Sequence, residues 1–165
     1  MRFVKFHGYG NDYIVCAAAE LSATPDLSAF VRRVCDRHYG VGADGVATVE
    51  RVADAAADFA LRIFNADGSE AAMSGNGSRS AAAFLYYEAA WTEPKLRLAT
   101  LAGIKLYQLL EQDGRGRFRF SAEVGQPRFA SNEIPMLVEE PLARVVAYSL
   151  DVGGGELVPV TALEM

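Results

Sequence analysis

The chain has 165 residues, enough for one domain or one domain with an added piece, and enough to bury a sizeable core. Its 51% apolar and 22% charged content excludes a disordered ground state, and 21 acidic residues against 16 basic ones (net charge −5) exclude a general nucleic-acid binder, which needs excess Lys and Arg. No apolar run approaches the roughly 18 residues that span a bilayer, and the N-terminus turns polar too early for a signal-peptide core, so no membrane partner is expected; two cysteines without a disulfide framework make the cytoplasm the expected compartment.

Residues 2–7 read as a strand, and Gly8-Tyr9-Gly10-Asn11-Asp12 as a turn or loop, because glycine and Asn-Asp favour positive φ and side-chain-to-backbone turns. Residues 13–18 read as a second strand. Leu27, Phe30, Val31 and Val34 recur at helical spacing and predict a helix over 27–38. A glycine-rich loop, 39–45, follows. The apolar runs 46–52 and 58–64 read as strands, and Asn65-Ala66-Asp67-Gly68 as a turn. Residues 77–91 hold no Gly or Pro after Gly77 and are apolar on nearly every face, which predicts a central buried helix. Strands are expected at 95–100, 104–111 and 117–124, the last two joined by Asp113-Gly114-Arg115-Gly116. From Gly125 the texture changes: Pro127, Pro135 and Pro141 break the chain, and 144–150 with 156–161 suggest a hairpin around Gly153-Gly154-Gly155. The expected division is 1–125 as one domain and 126–165 as the start of a second, truncated half or a crossover segment. The fold class is α/β (α+β), a mixed sheet wrapped around the buried helix.

Cys16 and Cys35 are the only cysteines and read as buried structural thiols. His7 and His38 are the only histidines and lie far apart, which excludes a His-rich metal site; no metal is expected. Ser74-Gly75-Asn76-Gly77 leads straight into the predicted buried helix. Free N–H groups at a helix start, with about half a positive elementary charge from the helix dipole, suit a carboxylate or another anion, and glycine lets it approach the backbone. Ser74 reads either as a helix cap or as a proton carrier, the second only with an activating base. No histidine lies nearby in sequence, and Ala72 stands where a Gly-x-Ser-x-Gly nucleophile elbow needs glycine, both of which argue against a serine hydrolase. Arg79 is placed either to meet an anion or to pair with Glu70 or Asp67.

Four segments together resemble the diaminopimelate epimerase family: Phe6-His7-Gly8-Tyr9-Gly10-Asn11-Asp12-Tyr13, Asp36 to Gly45, Arg62 to Glu70, and Ser74 to Arg79. They match in order and spacing, and the resemblance covers residues 1 to about 129. It implies a cofactor-independent epimerase that interconverts LL- and meso-diaminopimelate for lysine and cell-wall precursors. It implies two similar halves, each a mixed sheet around a central helix, with the substrate between them and a cysteine from each half working on opposite faces of the α-carbon. By this resemblance Asn11 and Asn65 match asparagines that grip the substrate's amino and carboxylate groups. Gly75 and Asn76 match the backbone pair that receives the α-carboxylate. Ser74 stands at the first catalytic cysteine, Ser80 where many members also have cysteine, and Gly45 where some members place a glutamine side chain on the substrate.

Two departures follow from the same comparison. The family's Cys-Gly-Asn-Gly reads Ser-Gly-Asn-Gly, and the next family motif, Gly-Asn-Pro-His, is expected to follow about where Met165 stands, with the second cysteine and the remaining substrate ligands beyond it. The expectation is a chain that descends from, or is a truncated piece of, a diaminopimelate epimerase and does not turn over as written. The alternatives are a carboxylate-binding or regulatory paralogue, or a structural half that pairs with a second chain. The expected partners are a small amino acid and a second half, supplied by a copy of the chain in a homodimer or by another chain.

Overall fold

Strands β1 (Val4–Gly8) and β2 (Asn11–Ala17) are joined by Tyr9 and Gly10 alone. Both residues have positive φ, 56° and 89°, the signature of a two-residue type I′ hairpin. The predicted loop 8–12 is therefore tighter than expected, because such a turn leaves its flanking residues, Gly8 and Asn11, paired across the hairpin. The computed structural model describes residues 1–123 and 125–164, which fall into two units, Met1–Glu123 and Val124–Met165.

In the first unit β3 (Gly45–Arg51) runs parallel to β2, and β4 (Phe59–Asn65) antiparallel to β3. A two-residue strand, β5 (Glu70–Ala71), folds back on β4. β6 (Lys95–Thr100) lies parallel to β4, and β7 (Gly103–Gln112) and β8 (Phe118–Glu123) complete the order β1-β2-β3-β4-β6-β7-β8. The strand expected over 117–124 is thus β8; Val124 lies outside the described residues. Phe6 on β1 makes edge-on ring contacts with Tyr87 at 6.0 Å and with Phe118 on β8 at 6.1 Å, so the first and last strands of the path curl toward each other.

The central strands are buried on both faces, and their side chains alternate between two cores. Tyr13 and Val15 join Ala47, Val49, Leu61, Ile63, Leu96, Leu98 and Tyr107 on one face. There they pack on the central helix α2 (Gly75–Tyr87), whose Ala81, Ala82 and Leu85 are fully or almost fully enclosed. Ile14 and Cys16 point the other way, with Val46 and Phe64, onto α1 (Leu27–Cys35). Burial of each large aliphatic or aromatic side chain contributes about 1.5–3 kcal/mol. Both cysteines are free and buried in this second core, and burial first of all pushes each thiol up to about 11.

Both helices end earlier than their apolar pattern predicts. Around Glu88–Trp91 the backbone N–H groups turn back onto the carbonyls of Phe84, Leu85 and Tyr86, and Ala89 takes a φ of 53°. Trp91 is still a packing residue, edge-on to Phe59 at 6.0 Å, but from outside the helix. After α1, the Asp36 carboxylate accepts the N–H groups of His38 and Tyr39, both at 2.7 Å, and this side-chain turn replaces the expected last residues of the helix. In the second unit β9 (Tyr148–Asp151) pairs antiparallel with β10 (Leu157–Val160). The hairpin is there, but residues 144–147 are outside it, since Ala147 has a φ of 52° and the Val145 N–H donates to Phe129 instead.

Candidate active site

The sheet topology gathers the glycine and asparagine loops at one end. β2 begins at Asn11, its parallel neighbour β3 begins at Gly45, and antiparallel β4 ends at Asn65. Tyr13, Gly45 and Asn65 form a single row across the three strands. α2 starts at this same end, since β5 leads to it directly.

Ser74 is the N-cap of α2. Its Oγ accepts the Gly77 N–H at 3.1 Å, its carbonyl accepts the Ser78 hydroxyl at 2.6 Å, and its Oγ lies 2.9 Å from the Tyr13 hydroxyl. The capping reading of Ser74 is therefore correct, and it coexists with a position facing the site. Among the described residues the N–H groups of Gly75 and Asn76 meet no protein acceptor. A Cβ placed on Gly75 would find no atom within 4 Å, so the space above the first helical turn is open. These are the conditions under which a helix start binds a carboxylate.

Asn11 and Asn76 are brought together. Asn76 Nδ2 donates to Asn11 Oδ1 at 3.1 Å, and Asn11 Nδ2 donates to Asp44 at 2.9 Å. Arg79 donates to Asn76 Oδ1, while Glu70 is taken by Arg62 at 2.8 Å. The alternative pairing of Arg79 with Glu70 or Asp67 is therefore replaced by a contact within the site. The Arg79 guanidinium also lies 6.0 Å from the ring of the hairpin-tip residue Tyr9. Asn65 shares the same end of the sheet, but its side chain is exposed and donates to Ser69 within its own turn at 3.0 Å. Ser80 is buried in the helix rather than presented at its start.

Behind Asn11 lies an ionic cluster that the sequence reading missed. Asp12 accepts Arg37 and Lys5, both at 2.8 Å, and Arg37 also binds Asp44 at 2.7 Å. The Arg37 guanidinium above all, with Lys5 and Asp44 adding to it, holds the Asp12 carboxyl far below the usual range against the opposing effect of burial. Asp12 and Asp44 both sit inside the quoted motifs, so the signal was present; only their convergence needed the fold. Gly45 is equally specific. A Cβ there would meet the Phe64 carbonyl at 2.4 Å and the Tyr13 ring at 2.6 Å, so the ring of Tyr13 fills the space a side chain at 45 would claim. A cleft of about 530 Å³ opens at the other end of α2, against Val49, Phe59, Phe84 and Ala90, and none of the site residues lines it.

Comparison with known proteins bears on this arrangement. The family model described as diaminopimelate epimerase matches residues 3–129. The diaminopimelate epimerase of Pelotomaculum thermopropionicum is 40% identical, over 100% of this chain and 57% of that protein. That of Caldanaerobacter subterraneus is 43% identical, over 85% of this chain and 49% of that protein. The chain thus spans about half the length of the curated relatives it matches. Among solved structures, a hydroxyproline epimerase from Agrobacterium vitis superposes with a TM-score of 0.62 at 16% identity, covering 98% of this chain and 48% of that one. A probable proline racemase from Agrobacterium radiobacter gives 0.60 at 19%, with the same coverage. At such identities the structures speak for the fold alone, the mixed sheet around a buried helix. The extent of the family match and the identity of the curated relatives establish that this chain belongs to the diaminopimelate epimerase family.

Proposed function

We propose that the chain forms one side of a cofactor-independent amino-acid epimerase site for diaminopimelate, with position 74 as the acid–base position on one face of the α-carbon. The observation that carries this is the open start of α2, where among the described residues the N–H groups of Gly75 and Asn76 meet no protein acceptor, beside Asn11 and Ser74. In this reading the α-carboxylate sits on the Gly75 and Asn76 N–H groups, and Asn11 and Asn65 hold the amino and carboxylate groups. The second side comes from a second half of the family's kind, which supplies the opposing acid.

Serine at position 74 determines how far the chemistry goes. Taking a proton from an α-carbon without pyridoxal requires a strong base near the carbon and an acid opposite it. A thiol has a pKa near 8.5, within reach of a helix N-terminus and cationic neighbours. An alcohol is much less acidic, and a helix dipole worth at most about 2 kcal/mol cannot close that gap. The chain therefore binds the amino acid and does not turn it over. The same serine favours the second reading, a carboxylate-binding paralogue that keeps the loop and has given up the reaction.

Titrating the nitrogen-15-labelled chain with meso-diaminopimelate tests the site. The Gly75 and Asn76 amides and the Asn11 and Asn65 side-chain amides are expected to shift together. Saturable shifts elsewhere, or none at millimolar ligand, would overturn the assignment.

A further inference from the structure

The Tyr13 side chain reaches position 74 from the sheet, and its placement is built in. The residue is only 4% exposed. Its ring lies against two bare glycines: a Cβ on Gly45 would come within 2.6 Å of the ring carbon Cε1, and one on Gly77 within 3.1 Å of Cε1 and 3.2 Å of Cζ. Gly45 on β3 and Gly77 on α2 are thus the walls of a slot that fits this ring. The slot delivers the phenol oxygen to 2.9 Å from Ser74 Oγ. Ser74 Oγ already accepts the Gly77 N–H. A phenol is a stronger acid than an alkyl alcohol, so the proton between the two oxygens belongs to Tyr13 as donor and Ser74 as acceptor. Both acceptor directions of Oγ are then filled, and its own proton is left for a ligand.

We propose that Tyr13 is a positioning residue for the acid–base position: its hydroxyl donates to the atom at position 74, so serine there offers its proton to the ligand space, and a thiolate there would be held in its charged form. The proposal rests on position 74 being the acid–base position, but the hydrogen bond can be tested without any ligand.

The experiment uses the full chain carrying Ser74→Cys, with and without Tyr13→Phe, and follows thiolate ultraviolet absorbance against pH. Cys16 and Cys35, raised to about 11 by burial, titrate late and leave the lower range to the introduced thiol. The charged and titratable groups on the surrounding elements, Lys5, His7, Asp12, Glu50, Arg51, Arg62, Glu70 and Arg79, are the same in both proteins, so the difference reports the hydroxyl. A hydrogen bond to a charged acceptor corresponds to a rise of about one to two pKa units when Tyr13→Phe removes it. An unchanged pKa in folded protein overturns the proposal. If Tyr13→Phe does not fold, p-aminophenylalanine at position 13 keeps the ring, replaces the hydroxyl with a weaker N–H donor and does not itself titrate in the range read. The thiol pKa must then rise, and no movement overturns the proposal equally. Because no diaminopimelate is present, a failure here is distinct from a failure of the site to bind the amino acid.

Discussion

Gly45 and Gly75 both lack a side chain, for opposite reasons. At Gly45 a Cβ would collide with the Phe64 backbone carbonyl at 2.4 Å, which cannot yield as a flexible side chain would, and with the Tyr13 ring. Gly45→Ala is expected to cost about 1–3 kcal/mol, the range for overpacking. Gly75 faces open space, so Gly75→Ala is expected to leave stability within about 0.5 kcal/mol of the parent. Its methyl group would nevertheless stand where a carboxylate approaches the helix start, and the diaminopimelate-induced shifts should disappear. Urea unfolding and the ligand titration, run on both variants, separate the two roles. A Gly45→Ala midpoint equal to the parent's, or undiminished binding by Gly75→Ala, would contradict them.

At the scale of elements, the Asp12 cluster ties the segment after α1 to the β1–β2 hairpin, since Arg37 and Lys5 both close on the one carboxylate. A folded-state pKa held below its ordinary value contributes stability that is fully present above about pH 4 and is lost as the pH falls toward the lowered value. Asp12→Asn should therefore flatten the acid limb of melting temperature against pH, most visibly below pH 4, and salt should shrink the difference because both cationic partners are partly exposed. Parallel limbs for variant and parent would refute it. The elements themselves were largely legible. The all-round apolar run behind Ser74-Gly75-Asn76-Gly77 announced a buried helix, and alternating strands with glycine turns announced the sheet around it. Two features hid. Tyr13-Ile14-Val15-Cys16 is buried on both faces, so its period of two vanishes into one apolar run, and with it the direction of the Tyr13 hydroxyl. β5 has only two residues and leaves no pattern to read. The helix ends were misplaced because Trp91 and the residues near it remain apolar after the backbone has turned back on itself.

In the proposed reading these 165 residues, about half the length of the curated relatives they match, furnish one face of the substrate's α-carbon. Inversion requires a base on that face and a proton donor on the other, positioned together. Among the described residues the two thiols, Cys16 and Cys35, are buried in the core away from α2, so neither stands in for the missing one at position 74. The chain incubated with diaminopimelate in deuterated water should show no loss of the α-proton signal above background. Ser74→Cys should introduce slow exchange with retention, because a single thiolate can take a proton and return a deuteron on the same side. Inversion should appear only when Ser74→Cys is joined to a second half that carries the opposing acid. Proton NMR of the α-hydrogen, combined with chiral analysis of the recovered amino acid, distinguishes the three outcomes. Rapid inversion by the unmodified 165-residue chain would overturn both the two-sided assignment and the limit set by a hydroxyl at position 74.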